Sequence, residues 1–240
     1  MKTPYQIARN SYHRVWNRAY GREREKARQF YSRFVRPGAL VLDIGASEGR
    51  LAETFSEIGA RVVAVEPNPA LIALMRRRYG RAFVLVEKAV GAQPGEAVLR
   101  IGEDPEHSTL SEDWLRRAPN ERRWIHSELV SVTTLAELIA EYGDPDFVKI
   151  DVEGFEHEVL AGLDRSLPQL SFEFQCSALD VAEKSMARLE DLADYTFAYT
   201  LAEERVLMSD WSTASRLTSV LAKVREMDAT TYGDVIALRR

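Results

Sequence analysis

The stretch VLDIGASEGR, residues 41–50, constrains the fold of this chain more than any other ten residues. An unbroken apolar run ends in Asp43 and glycines stand at 45 and 49. A segment with Leu51, Phe55 and Ile58 on one helical face follows at once. An apolar run without polar alternation suits a strand covered on both faces, and a glycine-spaced turn feeding a helix is how a wound α/β sheet begins. RVVAVE at 61–66 repeats the strand. Asn68-Pro69 then supplies an N-cap followed by proline at the first helical position, with Leu71, Ile72 and Met75 as the apolar stripe. AFVLVE at 82–87 is a third strand, so the βαβαβ rhythm predicts a parallel sheet with helices on both faces.

After the Pro94-Gly95 turn, AVLRIG at 97–102 reads as an extra strand. Residues 103–126 are polar, charged and broken by Pro105 and Pro119, the composition of a lid or substrate-facing insertion. Thr134 and Glu137 form a capping box before a helix. DFVKIDVEGFEHEVLAGL, 146–163, is a strand, a turn at Glu153-Gly154 and a helix burying Phe155, Val159, Leu160 and Leu163. LSFEFQ (170–175) is another strand, Asp180 to Glu183 caps a further helix, and YTFAYTL and DVIALR end the chain as two strands. The expected fold is an α/β, Rossmann-like, doubly wound sheet of seven strands with an antiparallel element near its edge. A basic helical arm spans 1–36 and the main domain 37–240.

With 240 residues, 45% of them hydrophobic, the chain buries a full core. It has no run of about 18 apolar residues that would span a membrane, and its first residues lack the apolar centre of a signal peptide. A single cysteine, Cys176, and four histidines exclude a disulfide framework and a Cys/His zinc cluster, and suit a reducing cytoplasm. The net charge is −5, yet Arg9, Arg14, Arg18, Arg22, Arg24, Lys26, Arg28, Arg33 and Arg36 face only Glu23 and Glu25 in the arm. Phe30, Phe34 and Val35 recur among them at helical spacing, which favours a solvated helix face over a nucleic-acid contact.

Three chemistries compete for the glycine loop. Gly45-Ala46-Ser47-Glu48-Gly49 spells the G-x-S-x-G of a serine hydrolase, but that fold needs a histidine late in the chain and none follows His157. An NAD loop needs glycine where Ser47 and Arg50 stand, and Glu48 would oppose a pyrophosphate at the helix N-terminus. A cofactor with ribose and no phosphate, S-adenosylmethionine, meets neither objection. Gly45, Ala46, Ser47 and Gly49 would lie along its amino-acid tail, Asp43 would face its ammonium, and Glu66 with Pro67 would meet the ribose hydroxyls. A nicotinamide-dependent oxidoreductase and a non-catalytic binding module are the alternatives.

VLDIGASEG, VVAVEPNP, VTTLAELI, DFVKIDVEGFEHEVLAGL and SFEFQ resemble the successive blocks of FkbM-type S-adenosylmethionine-dependent methyltransferases, over roughly residues 38–176. KIDVEGFEHEVLAG is the most specific of these blocks. The family usually has Asn at the place of Ser47 and an apolar residue at that of Glu48. The resemblance implies a Rossmann-like methyltransferase that methylates hydroxyl oxygens of secondary metabolites, sugars or glycolipids.

Groups that serve the acceptor belong at the C-terminal ends of the central strands. Asp151 ends one such strand and also suits the cofactor, and Glu153 follows in the turn. Either is a candidate general base for a small hydroxylated acceptor. Asp151, Glu173 and Gln175 offer an oxygen-only set for a hard cation such as Mg²⁺, a second route to a more acidic hydroxyl. His107, in the insertion, is a further proton acceptor, and His157 is a helix-surface residue. Thr109 to Glu112 reads as another capping box, and Lys149 alternates with the apolar Val148 and Ile150.

Overall fold

The computed structural model describes residues 21–117 and 124–240. Arg9, Arg14 and Arg18 of the arm and residues 118–123 of the insertion lie outside the described residues. The chain runs through α1 (21–31), β1 (Leu40–Ile44), α2 (Arg50–Ile58), β2 (Arg61–Val65), α3 (Pro69–Tyr79) and β3 (Val84–Val86). It continues with β4 (Ala89–Val90), β5 (Gly95–Gly102), α4 (Glu112–Arg117), β6 (Trp124–Thr133), α5 (Leu135–Tyr142) and β7 (Phe147–Ile150). It closes with α6 (Glu156–Ala161), β8 (Gln169–Gln175), α7 (Leu179–Glu190), β9 (Tyr195–Tyr199), α8 (Ala214–Met227) and β10 (Tyr232–Arg239).

Seven strands form one sheet in the order β3-β2-β1-β7-β8-β10-β9. All are parallel except β10, which runs antiparallel between β8 and β9. The doubly wound sheet expected from the sequence is therefore present, antiparallel element included. β1 explains why its sequence lacks alternation. Leu42 and Ile44 enter the core shared with α5, α6, α7 and α8, while Val41 enters the opposite core beneath α1, α2 and α3. Winding reverses between β1 and β7, the switch point where α/β sheets open a crevice.

In α1, Ala27, Phe30 and Tyr31 are buried, and Tyr31 meets Phe55 edge-on at 4.9 Å. Its Arg24 pairs with Glu53 and Glu57 of α2. No helix among the described residues is long and apolar enough to cross a membrane.

Residues 97–102 form a strand, as expected, but not in the main sheet. β5 pairs antiparallel with β6, and β6 parallel with β4, in a separate three-stranded sheet. The whole of β6 escaped the sequence pattern, because its inner face packs only a small cluster around Ala89, Leu99 and Val130. Ile125 and Leu129 on its outer face are exposed, which blurs the alternation. α7 begins at Leu179 without a side-chain cap. Asp180 instead pairs with Lys184 and, across to α4, with Arg117.

Candidate active site

β1, β2 and β7 all end at the switch point. The segments that follow them, with residues 105–110 of the insertion, wall an open cleft of about 530 Å³ including its mouth. Gly45 turns the chain here with φ +79°, and a Cβ on it would lie 1.8 Å from the Asp151 carbonyl oxygen. Only a bare backbone permits that approach of the β1 loop to the end of β7. Ser47 follows in the left-handed region at φ +51°. Its amide donates to Glu66 Oε2 at 2.9 Å, and Glu66 Oε1 accepts from the Asn68 amide at 2.9 Å. One carboxylate thus braces the loops that follow β1 and β2. Burial pushes Glu66 up to about 7, against the pull of these two amides.

Gly45, Ser47, Glu66 and Pro67 line the cleft, whereas Asp43, Ala46 and Gly49 do not. Ala46 packs into the α1–α3 core. Gly49 opens α2 at φ +81°, where a Cβ would strike the Tyr79 ring at 2.8 Å. Asp43 lies buried beside the first turn of α2, and its Oδ2 has no hydrogen-bond partner among the described residues. Burial pushes its carboxyl up to about 7, with Lys149 acting the other way. Ser47 Oγ is likewise buried without a hydrogen-bond partner among the described residues, which does not suit an activated nucleophile.

The β7 side of the cleft is built around Glu153. This residue sits at φ +53°, a conformation that costs a side-chain-bearing residue about 1–3 kcal/mol and persists only where its surroundings over-determine it. Glu156 Oε1 accepts from the Val152 and Gly154 amides, each at 3.2 Å, on either side of Glu153. Thr109 Oγ1 donates to the Glu153 carbonyl at 2.8 Å. Gln175 Nε2 donates to Glu153 Oε2 at 3.1 Å and to Glu173 Oε2 at 3.0 Å. α6, the insertion and β8 therefore all hold this one turn.

Asp151 lines the cleft with its side chain 39% exposed, 3.2 Å from Lys149 Nζ. Lys149 is fully buried on the α1 face of β7 and also reaches Asp234 Oδ1 at 2.8 Å. Burial lowers the lysine's affinity for its proton, but Asp151 and Asp234 outweigh it and hold the ammonium well above its ordinary range. Asp234 in turn meets Arg205 at 3.0 Å, and these two cations keep it below the ordinary carboxylate range despite burial.

The structure corrects several sequence expectations. Glu173 and Gln175 of the expected cation set are bonded to each other and, through Gln175, to Glu153. The Gln175 amide nitrogen is spent on two carboxylates, and burial together with Asp151, Glu153 and Glu156 drives Glu173 well above the ordinary carboxylate range. Among the described residues no group of three or more His, Cys, Asp or Glu side chains is placed to hold a metal ion. His107 lies outside the cleft wall, 3.7 Å from Asp104, although Glu106 and Ser108 beside it line the cleft. His157 is half-buried, and Phe155 is only half-buried and lines the cleft. Thr109 caps no helix; Ser111 Oγ accepts the Trp114 amide instead.

Sequence reasoning left the parts played by Glu156, Thr109 and Asp234 unassigned. Glu156 resembles any acid in a first helical turn, and Thr109 and Asp234 reach the site only through tertiary contacts.

The sheet is that of a Rossmann-like α/β fold. The chain belongs to the FkbM methyltransferase family, since the methyltransferase FkbM domain matches residues 43–199. No curated protein matches the chain. Among solved structures it is similar to precorrin-6y C5,15-methyltransferase from Geobacter metallireducens, with 15% identity over 92% of this chain and 87% of that one and a TM-score of 0.49. It is also similar to a TehB-like SAM-dependent methyltransferase from Corynebacterium glutamicum, with 12% identity over 98% and 99% of the two chains and a TM-score of 0.48. Aeropyrum pernix fibrillarin, solved with natively bound S-adenosyl-L-methionine, is 11% identical over 85% of this chain and 68% of that one, with a TM-score of 0.44.

Proposed function

We propose that this protein transfers a methyl group from S-adenosylmethionine to a hydroxyl oxygen of a small molecule. The observation that carries this is one cleft with two differently built walls: a glycine loop braced by a buried Glu66, and a strained turn that presents Glu153. The first wall suits the cofactor. Glu66 uses one bond per oxygen on the loop amides and keeps lone pairs for ribose hydroxyls. Asp43 Oδ2, orphaned behind the loop, is a buried acceptor for a cationic amino-acid tail, directly or through water. When bound, S-adenosylmethionine supplies an electrophilic methyl on a cationic sulfur.

Asp151 and Glu153 serve the acceptor. Lys149 fixes the Asp151 carboxylate from below, and the Glu153 turn is held from three sides, so neither group must be ordered during the reaction. One of them takes the hydroxyl proton as the oxygen attacks. No step is assigned to a metal, because Glu173 and Gln175 are engaged with each other and with Glu153. Residues 105–110 act as the lid, tied to one wall by Arg50–Glu106 at 3.1 Å and to the other by Thr109–Glu153.

The test is methyl transfer from labelled S-adenosylmethionine to a panel of hydroxylated small molecules. Asp151→Asn or Glu153→Gln should lower turnover by about 10²–10⁴, the usual worth of a general base, with cofactor affinity retained. Full turnover in both variants would remove these residues from the mechanism.

A further inference from the structure

Three residues from outside the matched family domain gather around the lysine that holds Asp151. The domain spans 43–199, whereas Tyr31 lies before it and Arg205 and Asp234 lie after it. Lys149 Nζ donates to Asp234 Oδ1 at 2.8 Å, to Asp151 Oδ2 at 3.2 Å and to the Ile150 carbonyl at 3.2 Å. Asp234 Oδ2 accepts from Arg205 at 3.0 Å and lies 3.4 Å from the Tyr31 hydroxyl. Burial pushes that hydroxyl up, so it stays neutral. The four charged groups of this chain therefore balance, two cations against two carboxylates. The backbone secures the arrangement. A Cβ on Gly233 would lie 2.0 Å from the Thr200 carbonyl oxygen, so glycine lets β10 meet the end of β9 just before Asp234. Ala202 and Arg205 keep left-handed φ angles of +41° and +53°, as happens where the surroundings over-determine a loop.

We propose that Asp234 and Arg205 are positioning residues, which set the aim and the charge environment of the Asp151 carboxylate through Lys149. This rests on the methyl-transfer reading above and adds to its machinery a part from the C-terminal segment. A carboxylate paired closely with one ammonium is a poor proton acceptor, because the ammonium already stabilises its charge. Asp234 takes the shorter bond from Lys149, so the lysine anchors Asp151 without being committed to it. Arg205 offsets Asp234 in turn and limits that anion's hold on the lysine. Neither Asp234 nor Arg205 lines the cleft, so each serves the acceptor through Lys149 and Asp151.

The experiment is a pH titration by carbon-13 NMR of protein labelled at its aspartate carboxyls and saturated with S-adenosylhomocysteine, with Asp151→Asn identifying the Asp151 signal. The midpoint of that signal should move down by at least about half a pH unit in Asp234→Asn, which removes an anion, and up in Arg205→Met, which removes a cation. The double variant restores the balance and should move back toward wild type. Asp43 on β1, Glu156 on α6 and Glu173 on β8 also act on Asp151, as does the neighbouring Glu153, and every variant keeps them. The acidic limb of turnover with the hydroxylated panel should follow the same directions. Should Asp234→Asn not fold, Arg205→Met, which leaves Asp234 its lysine, decides by the direction of its shift. No movement, movement of both single variants in one direction, a double variant displaced further than either, or a turnover limb that stays fixed would overturn the proposal. Failure of S-adenosylhomocysteine to bind, or no methyl transfer by the wild type to any member of the panel, would overturn the reading beneath it.

Discussion

Lys149 Nζ reaches across β8 to Asp234 Oδ1 at 2.8 Å while holding Asp151 Oδ2 at 3.2 Å. A fully buried lysine thereby joins a cleft carboxylate to a charge network that ends at Arg205 and, through a 3.4 Å contact, at Tyr31 of α1. Removing one member of such a network leaves a desolvated charge behind. Lys149→Met should cost about 3 kcal/mol in urea unfolding. Lys149→Met with Asp234→Asn should lose less than the sum of the two single variants, by at least about 1 kcal/mol. Simple additivity would show that the pair is not coupled.

Glu66 sets a pH dependence. Burial raises its carboxyl from 4.5 to about 7, so the folded protein keeps this proton to higher pH than the unfolded chain. Its contribution to stability is fully present below about 4.5 and falls as pH rises to about 7, by on the order of 3 kcal/mol in all. Asp43 and Glu156, also raised to about 7 chiefly by burial, act with the same sign. Glu66→Gln should flatten part of this slope, lose the amide that its Nε2 cannot accept, and bind the cofactor less well. Denaturation midpoints from pH 5 to 8 decide it; an unchanged slope in the variant, or wild-type stability rising with pH, would contradict it.

Gly45 and Gly80 separate backbone conformation from space. Both have positive φ, but only Gly45 would drive a Cβ into another strand's carbonyl, while Gly80 has open space. Gly80→Ala should cost about 1–2 kcal/mol and Gly45→Ala more than about 3, with loss of cofactor binding. Equal costs would mean that the β1–β7 approach is not the reason for glycine at 45.

Much of this architecture was legible in the sequence, for a physical reason. Strands covered on both faces, such as β1 and β2, must be apolar throughout, and proline after Asn68 leaves little doubt where α3 starts. Glu66 and Glu153 were also within reach, since strand ends and turns place them. β6 was not, because half of its outer face is apolar and its inner face packs little. Nor was the linkage of Thr109 to Glu153, 44 residues apart, or of Lys149 to Asp234, 85 apart. Local patterns carry no information about such pairs; a threonine three residues before a glutamate looks the same whether it caps a helix or braces a distant turn.

Thr109 tests that brace. Its hydroxyl donates to the Glu153 carbonyl and accepts from the Ser111 amide, both in the interior. Thr109→Val strands two buried polar groups and should cost about 2–3 kcal/mol, whereas Thr109→Ser keeps both bonds and should stay within about 1 kcal/mol. Methyl transfer should fall in the valine variant and return in the serine one. Equal stability of the two variants would show that the hydroxyl holds nothing.

The central claim, that the braced glycine loop takes S-adenosylmethionine, is tested most directly by calorimetric titration with S-adenosylmethionine, S-adenosylhomocysteine and NAD in parallel. Binding of the first two, absent for NAD and lost in Glu66→Ala, is the expected result. Binding of NAD alone, or of none of the three, would contradict it.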